Sequence, residues 1–198
     1  MIVEGPDGAG KTTLLKKLSY DLGVPIKVWE EARNDMATTG VFRRVFDTLA
    51  GEVRCGNDNR PHLHDRLFFS ELVYGRVLRG RIAFNPDQVR LIGDILRALE
   101  IPLIFCRPPL DVVQKNITES AGIQMADVPE HIEAIWERYC RYPAMFRPYS
   151  RVFDYTGITQ PTTEYEQILG LCEKYLKKRD ARTWQSSGGT SSSLSVAQ

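Results

Sequence analysis

The first thirteen residues, MIVEGPDGAGKTT, constrain this chain more than any other stretch. Ile2 and Val3 are apolar β-formers and read as a short buried strand. Gly5, Gly10, Lys11 and Thr12 then satisfy G-x-x-x-x-G-K-[ST], a phosphate-binding loop set between a strand and a helix. Gly5, Gly8 and Gly10 tolerate positive φ, so the backbone can turn tightly and aim its N–H groups at an anion. Lys11 adds a point charge for β- and γ-phosphates, and the Thr12 hydroxyl suits Mg²⁺. Lys11 to Leu22 continues as a helix that stops at Gly23, ahead of Pro25. Its N-terminal dipole end faces the phosphates. The stretch therefore implies a site for ATP and Mg²⁺ cradled by Gly5, Asp7, Gly8, Ala9, Gly10, Lys11, Thr12 and Thr13. It is silent on the fate of the γ-phosphate.

The remaining pattern alternates strands and helices. Ile26 to Trp29 reads as a second strand, with Glu30, Glu31 and Arg33 beyond its end. Residues 39 to 53 have a helical period, and His62 to His64 is a weak third strand ending at Asp65-Arg66. Leu67 to Arg79 is helical up to Gly80, and Asn85 with Pro86 opens a helix running to about Glu100. Pro102 to Cys106 is a buried strand, and Leu110 to Glu119 a helix. A flexible, lid-like segment over about 116–128 precedes a helix from Pro129 to Tyr142. Val152 to Tyr155 is a fifth strand, and Thr162 to Lys178 a last helix. Such alternation predicts an α/β fold of three αβα layers around a parallel, five-stranded sheet. Ligands of such sheets lie beyond the C-terminal strand ends, which would gather the phosphate loop, Glu30, Arg33, Asp65, Arg66 and Arg107 on one rim.

The chain has 198 residues, which fits one domain over 1–179 and a Ser/Gly-rich tail over 180–198 with disorder-type composition. Net charge is +1, so no global field favours nucleic acid or a membrane. The basic run Arg76, Arg79, Arg81 reads as a solvated helix face rather than a nucleic-acid track. No apolar run is long enough for a bilayer and none resembles a secretion signal. Cys55, Cys106, Cys140 and Cys172 are scattered and read as reduced thiols in a cytoplasmic protein.

Asp65-Arg66 is the second informative feature. An acidic residue at a strand end can hold Mg²⁺ with Thr12, and an adjacent Arg can grip a phosphate bidentately. Here the chain resembles the thymidylate kinases. VEGPDGAGKTT looks like their phosphate loop, including an acidic residue at Asp7. Residues 65–74 are similar to their D-R-Y-x-x-S-x-x-A-Y segment: Asp65, Arg66, Ser70 and Tyr74 match, whereas Leu67 and Val73 do not. The resemblance implies that Arg66 holds an acceptor 5′-phosphate and that Asp65 serves the metal. It places Asp7, Ser70 and Tyr74 around the acceptor, with Phe42, Phe68 and Phe69 as candidates to pack on a base. It also implies a homodimer and a small nucleotide or nucleoside acceptor.

Two departures matter. The family's T-R-E-P segment is missing, so Arg33 is the remaining candidate for a phosphate contact there. Glu30 or Glu31 resembles the base that related deoxynucleoside kinases direct at a sugar hydroxyl. Residues 116–128 contain no Arg or Lys, so Lys115, Arg147 and, three apart on one expected helix, Arg138 and Arg141 are candidates to stabilise the transferring phosphoryl. Three readings follow. The first is transfer from ATP to a deoxynucleoside monophosphate, thymidylate in type. The second is transfer to a hydroxyl of a deoxynucleoside or of modified DNA. The third is a slow nucleotide-dependent switch or regulatory module.

Overall fold

The computed structural model describes residues 1–28, 38–53, 60–119, 127–156 and 161–187. Glu30, Glu31, Arg33 and 120–126 of the expected lid lie outside the described residues.

Five short strands form one sheet: β1 (Ile2–Glu4), β2 (Ile26–Val28), β3 (Leu63–Asp65), β4 (Leu103–Cys106) and β5 (Ser150–Phe153). Their order is β2-β3-β1-β4-β5, and every pair is parallel. Parallel neighbours need long crossovers, which helices supply. The central strand β1 aligns Val3 with Asp65 on one side and with Ile104 on the other. Residues that follow β1 and β3 therefore emerge side by side at the C-terminal rim, where ligands of such sheets sit.

Helix α1 (Lys11–Leu22) packs on β1, β2 and β3 and against the long α9 (Pro161–Ser187). Helix α2 (Thr38–Val53) contacts α5 (Pro86–Ala98). Asn85 caps α5 through a reciprocal pair with Gln88, as its sequence implies. After β4 come α6 (Leu110–Glu119), α7 (Val128–Tyr139) and the short α8 (Tyr142–Met145).

The helix expected over 67–79 contains a π turn. It consists of α3 (Phe68–Ser70), a π segment (Glu71–Gly75) and α4 (Arg76–Leu78). The helix expected over 129–142 stops early, because Pro143 has no N–H for the Tyr139 carbonyl. Arg138 and Arg141 thus do not share one helix. Strand β5 begins at Ser150, two residues before the expected Val152, so Tyr155 lies past its end rather than within it. Helix α9 continues beyond Lys178 into residues expected as tail. Among the described residues, no helix is long and apolar enough to cross a membrane.

Phe69 sits in the core, meeting Phe105 and Phe146 edge to face at centroid distances of 5.1 and 5.2 Å. Phe68 is likewise buried. The expectation that Phe68 or Phe69 packs on a ligand base is therefore corrected: Phe69 and Phe84 enclose Phe68, and aromatic neighbours from β4 and the segment before β5 enclose Phe69. Cys106, Cys140 and Cys172 are free thiols, and burial pushes Cys106 up to about 12.

Candidate active site

Strand β1 delivers the chain into the phosphate loop. Gly5, Gly8 and Gly10 all adopt positive φ (147°, 74° and 78°). At Gly5 a side chain would also collide with the carbonyl oxygen of Cys106, and at Gly10 it would meet the Tyr155 ring at 2.7 Å. Lys11 is 8% exposed and donates to the Pro6 carbonyl at 2.7 Å, so its ammonium lies within the loop. Burial, aided by the Arg66 charge, brings Lys11 down to about 8.

The loop borders a cavity of about 580 Å³. Asp7, Gly8, Ala9, Gly10, Lys11, Thr12 and Thr13 line it, together with Asp65 and Arg66 from the end of β3. Every loop position expected to meet the nucleotide lines this cavity except Gly5, which is packed against β4. Thr12 and Asp65 share it, as a joint metal role requires. The Asp65 Oδ1 atom is buried and has no hydrogen-bond partner among the described residues. An orphaned carboxylate oxygen on a cavity that a threonine and a phosphate loop also line fits Mg²⁺, which takes few protein oxygens and completes its shell with water and phosphate.

Sequence reasoning missed the cavity's other wall. Phe153 and Tyr155 come from the end of β5, Lys17 from α1, and Tyr165 from α9. Lys17 lies 4.2 Å from the centre of the Tyr165 ring. Asn116 donates to the Gly8 carbonyl at 2.7 Å and to the Tyr155 hydroxyl at 2.6 Å, tying α6 to the phosphate loop. The early end of β5 turns Tyr155 toward the loop, and no one-dimensional signal announces that.

Arg66 reaches back toward the phosphate loop from the other side. Its backbone is left-handed, φ 66°, which is uncommon outside glycine. One guanidinium nitrogen, Nη1, donates to the Gly5 carbonyl at 3.1 Å, to Ser70 Oγ at 3.2 Å and to the Tyr139 hydroxyl at 3.4 Å. The other, Nη2, pairs with the Asp7 carboxylate and donates to the Tyr74 hydroxyl at 3.3 Å. Tyr74 in turn donates to Asp7 Oδ2 at 3.1 Å and accepts from the Asp7 N–H at 3.0 Å. Burial works against the Asp7 carboxylate, but the charges of Arg66 and Lys11 prevail and hold it below the usual range.

The remaining expected residues divide as follows. Tyr74 is buried beside Asp7 and Arg66. Ser70 is 1% exposed and bonded to Glu4 and Arg66, and it does not line this cavity. Phe42 lies on α2 against Phe46, with centroids 6.0 Å apart, and takes no part in the cavity. Arg138 and Arg141 both bear on the Tyr142 side chain, and neither lines the cavity. Arg79 of the basic run is paired with Glu71 at 2.5 Å.

No protein-family model matches the sequence, and no curated protein matches it. Solved structures do. YorR protein from Bacillus subtilis, crystallised with phosphorylated GDP, is similar at a TM-score of 0.65 and 23% identity, over 87% of this chain and 94% of that one. Deoxyadenosine kinase from M. mycoides, with dCMP and a flexible dCDP bound, is similar at a TM-score of 0.50 and 16% identity, over 87% and 97%. At these identities the likeness is one of fold. With its phosphate loop on the central strand of a β2-β3-β1-β4-β5 parallel sheet, this chain shares the fold of YorR and of that deoxyadenosine kinase.

Proposed function

We propose that the protein is a kinase that transfers the γ-phosphoryl of ATP to a small nucleotide or nucleoside acceptor, with a deoxynucleoside monophosphate of the thymidylate type as the first candidate. The observation that carries this is the Arg66 guanidinium within 3.1 Å of the Gly5 carbonyl, an acceptor-side cation set against a donor-side phosphate loop. The loop amides and Lys11 hold the donor's β- and γ-phosphates. The Thr12 hydroxyl and Asp65 carboxylate would hold Mg²⁺, which neutralises phosphate charge when bound. Phe153, Tyr155 and Tyr165 offer apolar surface to the donor base. Catalysis then rests on alignment and charge, with no covalent enzyme intermediate.

A second reading is favoured by a specific feature of Arg66. The four N–H bonds of its two Nη atoms already face five acceptors, one of them the Asp7 carboxylate. An acceptor phosphate would have to displace Asp7, whereas a hydroxyl acceptor would not. Transfer to a hydroxyl of a deoxynucleoside or of modified DNA, with Glu30 or Glu31 as base, fits that saturation. The homodimer remains part of the proposal through resemblance alone.

The deciding experiment incubates the protein with γ-labelled ATP and Mg²⁺ against thymidine, dTMP, the other deoxynucleoside monophosphates and hydroxymethyl-bearing oligonucleotides. Label on dTMP but not on thymidine supports the first reading. Label on thymidine or on an oligonucleotide, with dTMP inert, replaces it with the second. ATP hydrolysis or binding with no acceptor labelled sinks both and leaves a switch module.

A further inference from the structure

Glu4 is the last residue of β1, directly before the phosphate loop, and it is fully buried. An acidic side chain in that place is costly unless its oxygens are occupied. Four donors occupy them. Oε1 accepts from the backbone N–H of Leu67 at 2.8 Å and of Phe69 at 3.2 Å. Oε2 accepts from the Ser70 hydroxyl at 2.8 Å and the Tyr139 hydroxyl at 3.2 Å.

Each pair of contacts has its own consequence. The helix that begins at Phe68 has no side-chain cap of its own, and Leu67 and Phe69 carry N–H groups of the kind a helix start leaves orphaned. Glu4 satisfies them from a different strand, and its negative charge suits the positive end of the helix. This secures the segment immediately after the left-handed Arg66. The hydroxyl pair looks the other way. Arg66 Nη1 faces both hydroxyl oxygens, and a guanidinium can only donate. Each hydroxyl has one proton, which it can give to Glu4, and lone pairs left for Arg66 Nη1, whose two protons are shared among these two oxygens and the Gly5 carbonyl; the two hydroxyls also lie 3.0 Å from each other. The acid and the cation are thus joined through Ser70 and Tyr139 rather than directly.

We infer that Glu4 and Tyr139 are positioning residues for Arg66, fixing through the Ser70 and Tyr139 hydroxyls how the guanidinium is presented to the acceptor. Glu4 leads straight into Gly5, so one residue sets the distance between the phosphate loop and the Arg66 turn. Tyr139 closes α7, so the same network ties Arg66 to the helix that follows residues 120–126. Ser70 belongs to this relay and does not contact the acceptor. The inference rests on the kinase reading for its kinetic consequence, though not for its geometry.

The test uses the full chain and two variants, Tyr139→Phe and Glu4→Gln. Tyr139→Phe removes one hydroxyl and keeps the ring, so it remains interpretable if Glu4→Gln fails to fold. The first readout is solvent exchange of the Arg66 guanidinium protons, followed by ¹⁵N-arginine NMR and assigned with Arg66→Lys. The second is steady-state kinetics toward whichever acceptor the labelling panel identifies. Expected for Tyr139→Phe is an exchange rate at least tenfold faster, kcat/KM for the acceptor at least tenfold lower, and KM for ATP within twofold. Unchanged exchange with a lower Tm would make Tyr139 a packing residue and overturn the inference. Faster exchange with unchanged acceptor kcat/KM would overturn it too. If the panel labels no acceptor, the kinase reading fails, and the exchange measurement still decides whether Tyr139 holds Arg66.

Discussion

Two buried carboxylates stand at opposite ends of the same sheet and are treated in opposite ways. Glu52 on α2 lies near the N-terminal strand ends, where it meets His64 at 3.2 Å, the Tyr175 hydroxyl at 3.1 Å and Arg179 at 3.7 Å. Burial opposes its charge, but the His64 hydrogen bond, the chain's amino terminus and Arg179 bring it down to about 2. Glu4, at the C-terminal rim, is pushed up by burial despite the Arg66 charge and its hydrogen bonds from Ser70 and Leu67. Its cation is held at one remove and shared with Asp7. The Glu52 cluster brings acid and base into direct contact, which favours stability. The rim pairs Arg66 directly with Asp7 but holds Glu4 apart from it, leaves Asp65 Oδ1 unmatched and folds Lys11 onto a loop carbonyl. Incomplete pairing of buried charge is a mark of a site that a ligand completes.

The largest expected effect would break the comparison at the rim. Lys11→Ala should lower kcat by roughly 10³-fold, the scale for losing a preorganised charge at a transferring group. It should leave Tm unchanged or raised, because a buried cation is removed. A large fall in Tm would mean that Lys11 is structural, like the Glu52 cluster. Melting in a calorimeter and single-turnover transfer measure the two sides.

The next effect concerns stability alone. Glu52 binds its proton less tightly in the folded chain than in the unfolded one, from 4.5 down to about 2. Its contribution is therefore complete above about pH 4.5 and is lost as pH falls toward 2. The magnitude is on the order of 3 kcal/mol. His64, also pushed down chiefly by burial, acts in the same direction below its ordinary range. Glu52→Gln should cost a similar amount at pH 7 in urea denaturation, flatten the acid limb of stability and leave KM for ATP unchanged. A change in ATP affinity would show that the two ends of the sheet are coupled.

The smallest effect sharpens the rim's internal division. Asn116→Ala removes the bonds to Gly8 and Tyr155 but no charge. A loss of roughly tenfold or less in kcat/KM for ATP is expected, consistent with a neutral hydrogen-bond pair, with acceptor KM unchanged. An effect confined to the acceptor would reassign that wall of the cavity.

Much of this architecture is visible in one dimension because it depends on local rules. The phosphate loop needs glycines at positive φ and a Lys-Thr pair at fixed spacing, and the cavity forms around them. Leu110–Glu119 and the Asn85 cap follow from periodicity and capping chemistry. The π turn at Glu71–Gly75 left no such trace, and neither did the break before Pro143 in its effect on Arg138 and Arg141. Phe69 looked like a ligand contact because composition cannot tell an aromatic that faces Phe105 from one that faces a base. Glu4 did offer a signal, an acid ending an apolar strand beside the loop, but its four partners are spread from Leu67 to Tyr139.

By itself the sequence determined that strands and helices alternate, that a phosphate loop follows the first strand, and that Asp65 and Arg66 end another. These are properties of neighbours along the chain. Only the tertiary structure decided that β1 lies between β3 and β4, which brings Arg66 to Gly5 across sixty-one positions of sequence. It also decided that Ser70 and Tyr139 point inward to a buried acid, because a charge taken out of water must find its partners wherever the fold supplies them.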